Sequence, residues 1–275
     1  MALNIGWKII QNETPNSGLS KIFPLKKGIQ SAHYEIILLT DADCQPASKD
    51  WIGLMTGALK DETEIVLGYS PFFQLNGLVN HFIRYENFLT SLYYLSFAIT
   101  GMPYMGTGRN LSYRKSVTGT IGALEHQGGL MTGDDDITVN RIATNRNTAL
   151  MIHPKSHVFT VSATTFGEFI HQKRRHFPAG FHYRPKHKVV LGALYSSQII
   201  FNALFIPLVI NGFLLIPTIS IFIIKNILQT LLYGKAMRRL NVHNLWIFTP
   251  VFDLLVSAFF LTLGCLSFLK IKTWK

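Results

Sequence analysis

The sequence predicts a mixed α/β domain that is followed by transmembrane helices. Strand-like and helix-like apolar patterns alternate over residues 1–187, whereas residues 188–275 consist largely of long apolar runs;. The 275 residues carry a net charge of +11, and 48% of them are hydrophobic. We therefore expect an α/β domain at 1–187 and a membrane domain at 188–275 with two to three transmembrane helices.

The elements of the α/β domain follow from local patterns. Strands are predicted at 7–11, 35–40 and 64–69, and helices at 20–31, 48–60, 75–99 and 134–145;. The strand at 35–40 is continuously apolar, which is typical of a buried strand in a parallel sheet. The helix at 75–99 carries only two formal charges, Arg84 and Glu86. We expect it to be a core helix rather than a substrate or membrane surface.

Three segments are predicted in the membrane domain. Residues 189–224 form a run of about 36 uncharged residues, too long for one helix across a hydrocarbon core of ~30 Å, and Asn211–Gly212 allows a reversal near its middle;. Basic residues place the segment at 225–243 at the membrane interface. A third span is predicted at 245–269. It contains Asp253, which indicates either a polar contact between helices or a later start of this span.

Basic residues are concentrated just before the first apolar run. Between positions 155 and 188, Glu168 is the single acid against Lys155, Lys173, Arg174, Arg175, Arg184, Lys186 and Lys188. Nucleic acid is one partner for such a patch, but its position favours anionic lipid headgroups and a cytoplasmic α/β domain. We expect a multi-pass cell-membrane protein that binds membrane lipids and no nucleic acid. The two distant cysteines provide neither a disulfide framework nor a zinc motif;.

Two carboxylates, Asp41 and Asp43, directly follow the strand at 35–40. Ligands of open α/β sheets bind beyond the carboxyl ends of strands, and alternate residues of an extended chain point to the same side. Two such oxygen donors suit Mg²⁺ or Mn²⁺ that bridges substrate phosphates. An Asp-rich turn assisted by Pro46 is the alternative interpretation, and these residues alone leave both open.

A second acidic cluster, Gly133–Asp136, begins a predicted helix about 90 residues further on;. The helix dipole favours acidic residues in a first turn, so Asp134 alone is explained by capping. Three successive carboxylates exceed what capping requires, and their repulsion should raise at least one pKa. The glycine-rich segment 101–113 (GMPYMGTGRNLSY) either approaches a ligand closely or forms a plain turn;.

The order of these features resembles processive and membrane-anchored members of glycosyltransferase family 2, which have the GT-A fold. The resemblance rests on the D-A-D motif, the G-D-D-D motif and the Q-K-R-R-H sequence at 172–176, followed by membrane spans. Further matching stretches are Lys21, Leu25 with Gly28–Ile29, Cys44–Pro46 with Trp51, and Gly106–Leu111 before Tyr113–Lys115. The resemblance covers nearly the whole chain and implies a Rossmann-like mixed sheet with flanking helices.

The resemblance also implies the reaction and its central residues. It implies inverting transfer of a sugar from a nucleotide-diphosphate donor to a lipid or polysaccharide acceptor at the cytoplasmic membrane face. Asp43 would bind Mg²⁺ or Mn²⁺ on the donor diphosphate, whose departure requires a cation, with Asp41 near the ribose or the metal. The catalytic base that deprotonates the acceptor is placed at Asp135, with Asp136 in reserve.

The remaining substrate-binding residues are also implied by the resemblance. Gln172, Arg175 and His176 match the Q-x-x-R-W motif, which closes over the diphosphate and the acceptor. His176 replaces the usual Trp, and a histidine can still stack and donate a hydrogen bond. Lys21 and Asp134 are further residues expected to bind substrate.

The resemblance begins at about the third strand of the family's sheet. Nothing before Trp7 supplies the first two strands, which end in an Asn-Glu pair and in an aspartate that contacts the nucleotide base. We therefore expect an N-terminally truncated GT-A domain at 1–187 that lacks its first strands. Two other functions stay open: a catalytically silent paralogue that binds a partner or acts as a scaffold, and a metal-dependent phosphotransferase or lipid-headgroup enzyme.

Overall fold

The structure, a computed structural model, describes residues 22–118, 134–212 and 214–267. Its helices are α1 (Ile22–Ser31), α2 (Trp51–Gly57), α3 (Leu78–Ile99), α4 (Asp134–Ile142), α5 (Phe166–His176), α6 (Pro185–Ile210), α7 (Leu215–Arg239) and α8 (Thr249–Ser267). Its strands are β1 (Ile36–Leu39), β2 (Gln45–Pro46), β3 (Ile65–Gly68), β4 (Leu111–Arg114), β5 (Thr148–Met151) and β6 (Val158–Phe159). Lys21 and the strand predicted at 7–11 lie outside the described residues.

A small mixed sheet has the strand order β1–β4–β3–β5. Strand β4 is antiparallel to both β1 and β3, and β5 is parallel to β3. The sequence predicts a buried, parallel setting for β1, but within the described ranges β1 pairs with β4 alone and buries only Ile37. Because β1, β3 and β5 run in one direction, their carboxyl ends and the start of β4 lie at the same edge, here called the carboxyl edge.

Strand β3 is the centre of the sheet, and helices cover both of its faces. Alternate residues of a strand point to opposite faces, and Ile65 and Leu67 enter the main core together with α3;. Val66 faces the other way and packs with Trp51 and Met55 of α2. Ile65, Val66 and Leu67 are all completely buried. The apolar run at 64–69, which shows no alternation of polar and apolar residues, is thus confirmed as a strand that is covered on both faces;.

Helix α3 is confirmed as a core helix, and three polar side chains spaced seven residues apart form a stripe along it. Asn80 donates to the carbonyl of Phe73 (3.1 Å), and Asn87 donates to the carbonyl of Ser70 (3.1 Å). Tyr94 donates to the carbonyl of Gly68 (2.7 Å). Buried carbonyls need such donors, so the stripe supports the chain where it leaves β3 and enters the carboxyl edge.

Within the described part of the chain, three helices are long and apolar enough to cross a membrane, spanning Pro185–Ile210, Leu215–Arg239 and His243–Leu266. The reversal predicted at Asn211–Gly212 lies directly after α6, with Gly212 at a φ of 65°;. Residues 225–239, predicted as part of a separate interfacial segment, instead continue α7 without a break. The charge of Lys225 is compatible with this continuous helix because it is paired inside the bundle.

The partner of Lys225 in this ion pair is Asp253 of α8. Its carboxylate is 1% exposed and lies 2.5 Å from the ammonium nitrogen of Lys225 on α7. It also accepts hydrogen bonds from the side-chain amides of Gln198 on α6 (2.6 Å) and Gln229 on α7 (2.5 Å). Of the two interpretations of Asp253, the polar contact between helices is therefore correct, and the same group joins all three candidate spans.

Candidate functional site

Asp41 and Asp43 lie at the carboxyl edge, in the turn that follows β1. One ligand atom each of Asp41, Asp43 and Cys44 lies within 4.8 Å of the others, so this group could hold a metal ion. The amide of Cys44 donates to the carbonyl of Asp41 at 3.1 Å, which closes the turn. The two interpretations of these carboxylates are thus compatible, because the turn itself brings the ligand atoms together.

Asp43 is contacted from a distant part of the chain. The hydroxyl of Thr160 donates to a carboxylate oxygen of Asp43 at 3.4 Å, and a β-bridge between Thr160 and Phe72 holds this segment beside the end of β3. The sequence did not indicate Thr160, since 117 positions separate it from Asp43 and no local pattern links them. The contact orients one oxygen of Asp43 and leaves its other oxygen near the Cys44 thiol, at 3.7 Å from sulfur.

The donor set of this turn fits a hard divalent cation. Burial raises the pKa of the Cys44 thiol, which disfavours the thiolate, and hard cations such as Mg²⁺ prefer oxygen to sulfur ligands;. The two carboxylates remain as the effective ligands. Mg²⁺ and Mn²⁺ are commonly held by one or two carboxylates together with substrate phosphates, and the geometry of Asp41 and Asp43 suits this arrangement.

The glycine-rich segment before β4 brings the second acidic cluster to the same edge. Gly108 begins a 3-10 turn that ends at Asn110, directly before β4. The carboxylate of Asp135, in the first turn of α4, packs so closely on Gly108 that a Cβ atom there would overlap it. The segment therefore contains a turn that lies close to the protein's own Asp135, and its approach to a ligand stays a prediction. Asp134 is the first residue of α4.

We expect Gly108→Ala to displace Asp135 from the carboxyl edge. The new methyl group would overlap the Asp135 carboxylate, so α4 or the 3-10 turn must move. The expected cost is about 1–3 kcal/mol of the free energy of unfolding, measured by thermal unfolding in detergent. Gly53→Ala is the matched control, because Gly53 lies in α2 with nothing within 4 Å of an added Cβ. Equal stability of the two variants would contradict the close packing of Asp135 on Gly108.

Asn110 holds the loops of the carboxyl edge together. The residue is completely buried and accepts a hydrogen bond from the Trp51 indole at 3.0 Å. Its amide nitrogen donates to the carbonyls of Tyr69 (2.8 Å) and Ser156 (2.9 Å). One side chain thus joins α2, the end of β3 and the loop before β6, which makes this edge a rigid support for the carboxylates.

Asp136 has a different environment from Asp135. Burial raises the pKa of the Tyr183 hydroxyl, and the Asp136 carboxylate, which is hydrogen-bonded to this tyrosine, raises it further. A neutral Tyr183 therefore donates to Asp136 at neutral pH. The sequence did not indicate Tyr183. This bond connects the start of α4 to the segment immediately before α6.

Gln172, Arg175 and His176 lie in the last two turns of α5. A capping box of Thr165 and Glu168 begins this helix;. Buried Phe169 stacks on Phe259 of α8 with ring centroids 5.2 Å apart. The stacking contact packs α5 against α8, the last of the three apolar helices. The approach of Gln172, Arg175 and His176 to the carboxyl edge stays a prediction.

No protein-family model matches this chain, and no curated protein matches it. Among solved structures, the chain is similar to a mannosyltransferase from Pyrobaculum calidifontis in complex with GDP-Man and Mn²⁺. The sequence identity is 17% and the TM-score is 0.45, over 86% of this chain and 66% of that one. The chain therefore spans slightly less than two thirds of that protein. At this TM-score the likeness assigns neither a family nor a function.

Proposed function

We propose that this protein is a membrane-anchored glycosyltransferase with a GT-A-type domain, as its resemblance to family 2 implies. One observation carries the proposal. Asp41 and Asp43 form a carboxylate pair suited to a divalent cation, at the same edge where Asp135 packs against the loop before β4. A metal-held diphosphate and a base for an acceptor hydroxyl are the two requirements of glycosyl transfer from a nucleotide sugar.

The donor half of the site consists of the turn after β1 and its support. Asp43 would hold Mg²⁺ or Mn²⁺, with Asp41 as a second ligand or beside the ribose, and Thr160 would fix the Asp43 oxygen that it contacts. The cation supplies charge neutralisation of the departing diphosphate. Gln172, Arg175 and His176 would close over the diphosphate and the acceptor. Lys21 and Asp134 are proposed as further substrate-binding residues.

The acceptor half of the site centres on Asp135. In an inverting transfer, the acceptor oxygen forms a bond to the anomeric carbon while the bond to the diphosphate breaks, and a carboxylate takes the hydroxyl proton. Asp135 is favoured as this base, because the hydrogen bond with Tyr183 engages Asp136. Asp136 remains the reserve candidate.

The setting of the site supports a membrane-associated acceptor. Three helices long enough to cross a bilayer follow the α/β domain, and basic residues precede the first of them. We propose a multi-pass protein of the cell membrane with its α/β domain in the cytoplasm, because positively charged loops favour that side. The acceptor would be a lipid or a growing polysaccharide at this membrane face.

The direct test is binding and hydrolysis of nucleotide sugars by the full chain in detergent with Mn²⁺. We expect at least one member of a panel of UDP- and GDP-sugars to be hydrolysed slowly and its nucleoside diphosphate to bind. The expected binding at the carboxylate turn depends on Mn²⁺, so EDTA should remove this Mn²⁺-dependent component. If no member of the panel is hydrolysed and neither UDP nor GDP binds, the proposal is wrong, and a catalytically silent scaffold becomes the better description.

Asp135→Asn should distinguish the acceptor half of the site from the donor half, because it should affect sugar transfer but not donor binding. The amide is nearly isosteric but cannot accept the proton, so transfer to an acceptor should fall by about 100-fold or more while donor binding is unchanged. Asp136→Asn should retain most transfer and lower stability, because Tyr183 then donates to a neutral acceptor. Transfer rates and UDP or GDP affinity are the measurements. The reverse ranking would assign the base to Asp136.

A further inference from the structure

Arg84 is a buried cation without a carboxylate partner. Its side chain lies on α3 and is 5% exposed. Its terminal nitrogen Nη2 donates to the side-chain oxygen of Asn244 at 3.1 Å, but Nε and Nη1 have no hydrogen-bond partner. Within the described residues no carboxylate forms an ion pair with it. A buried charge in this state is costly, and proteins normally provide a counter-ion or bind one.

A second guanidinium group lies beside the same surface of α3. Arg109 lies in the loop before β4, with its guanidinium 4.8 Å from the centre of the Phe72 ring. It donates to the side-chain oxygen of Asn87 at 3.4 Å. Asn87 follows Arg84 by three positions, so the two residues are neighbours on one helix face. Arg109 therefore reaches, from the loop, both Phe72 and the face of α3 that also carries Arg84.

The charges of both arginines act on one buried group, the hydroxyl of Tyr69. Burial raises the pKa of this hydroxyl, and Arg84 and Arg109 both oppose that rise.

The pair lies at the junction between the carboxyl edge and the membrane helices. Asn244, the partner of Arg84, belongs to the 3-10 turn His243–Phe248 that connects α7 to α8. Two guanidinium groups offer planar, bidentate donors that match the oxygens of a phosphate better than they match a halide. A phosphate can reach this junction from a soluble nucleotide or from a lipid headgroup.

We propose that Arg84 and Arg109 bind a phosphate group between α3 and the chain that leaves β3. The site is distinct from the carboxylate turn and does not depend on glycosyl transfer. Its occupant supplies the counter-charge that Arg84 lacks. The phosphate belongs either to a nucleoside diphosphate or to a phospholipid, and the two sources can be separated experimentally.

The test is thermal unfolding of the full chain in detergent and EDTA, with sodium phosphate compared to sodium chloride at equal ionic strength. We expect phosphate to raise the Tm by about 4 °C or more at a concentration about 100 times its Kd. Arg84→Met should unfold at a higher Tm than the wild type without phosphate and should lose the phosphate response. Arg109→Gln, a change at a partly exposed residue, should weaken the response several-fold. Arg146→Gln, at an exposed arginine, is the matched control and should retain it.

Two further unfolding measurements identify the source of the phosphate. Stabilisation by UDP or GDP in EDTA would assign the site to a nucleotide, whereas stabilisation in phosphatidylcholine vesicles only when they contain phosphatidic acid would assign it to a lipid. Asp43→Asn should keep the phosphate response, which separates this site from the proposed catalytic one. A wild type that does not respond to phosphate, or a full response in both Arg84→Met and Arg109→Gln, would overturn the proposal.

Discussion

Asp43→Asn is expected to abolish Mn²⁺-dependent binding of UDP or GDP and to lower donor hydrolysis by about 100-fold or more. The amide keeps the shape of the side chain and the contact with Thr160, but it removes the negative charge that would hold the cation. Calorimetric titration of the nucleoside diphosphate with and without Mn²⁺ measures the first effect. Release of free sugar from the donor measures the second.

The controls for Asp43→Asn separate a metal ligand from a general loss of charge. Asp61→Asn removes an exposed carboxylate at a φ of 47°, a conformation that asparagine adopts readily, and should leave both measurements unchanged;. Asp41→Asn should weaken Mn²⁺-dependent binding to a lesser or equal degree. If Asp43→Asn retained the wild-type Mn²⁺ dependence, the carboxylate pair would be an Asp-rich turn and no more.

The second large effect is expected in the membrane helices. Asp253→Leu leaves the ammonium group of Lys225 and the amides of Gln198 and Gln229 without their common acceptor. Removing one partner of a buried ion pair typically costs about 3–5 kcal/mol, because the other charge remains buried. We expect a correspondingly lower Tm in detergent and faster proteolysis between α6 and α8.

A double-mutant cycle makes this expectation specific to the pair. Lys225→Leu should also be destabilising, while Asp253→Leu combined with Lys225→Leu should recover part of the loss, since neither charge then remains alone. Lys235→Leu is the matched control, because Lys235 lies exposed on the same helix. Strictly additive losses would mean that Asp253 and Lys225 do not stabilise each other.

The sequence predicts a helix or strand well where residues that are close together in the chain determine it. The apolar run at 64–69 and the helix at 75–99 form close to their predicted bounds, as β3 and α3. The i, i+2 spacing of Asp41 and Asp43 also sufficed to predict that their ligand atoms would be close. In each case the residues that decide the structure are neighbours along the chain.

The sequence-based predictions fail where contacts with residues far away in the sequence determine the structure. The parallel setting predicted for β1 is wrong within the described residues because β4, more than 70 positions further along, inserts beside it. Residues 225–239 continue α7 without a break, and the interfacial position predicted for them from Lys235, Arg238 and Arg239 stays a prediction. Thr160 and Tyr183 were missed for the same reason, since their contacts with the carboxylates depend on the tertiary fold.

The hydrogen bonds that join α4 to α6, the first candidate membrane span, have a mechanical consequence. Asn140 of α4 accepts the backbone amide of Arg184 at 2.8 Å, and its amide nitrogen lies 2.9 Å from a ring nitrogen of His187 in the first turn of α6. A transmembrane helix tilts when the bilayer is thinner than its apolar length. Such tilting would be transmitted through Asn140 to Asp135 on the same short helix. We therefore expect the rate of sugar transfer to vary with the acyl-chain length of the surrounding lipid, whereas binding of the soluble nucleotide should not.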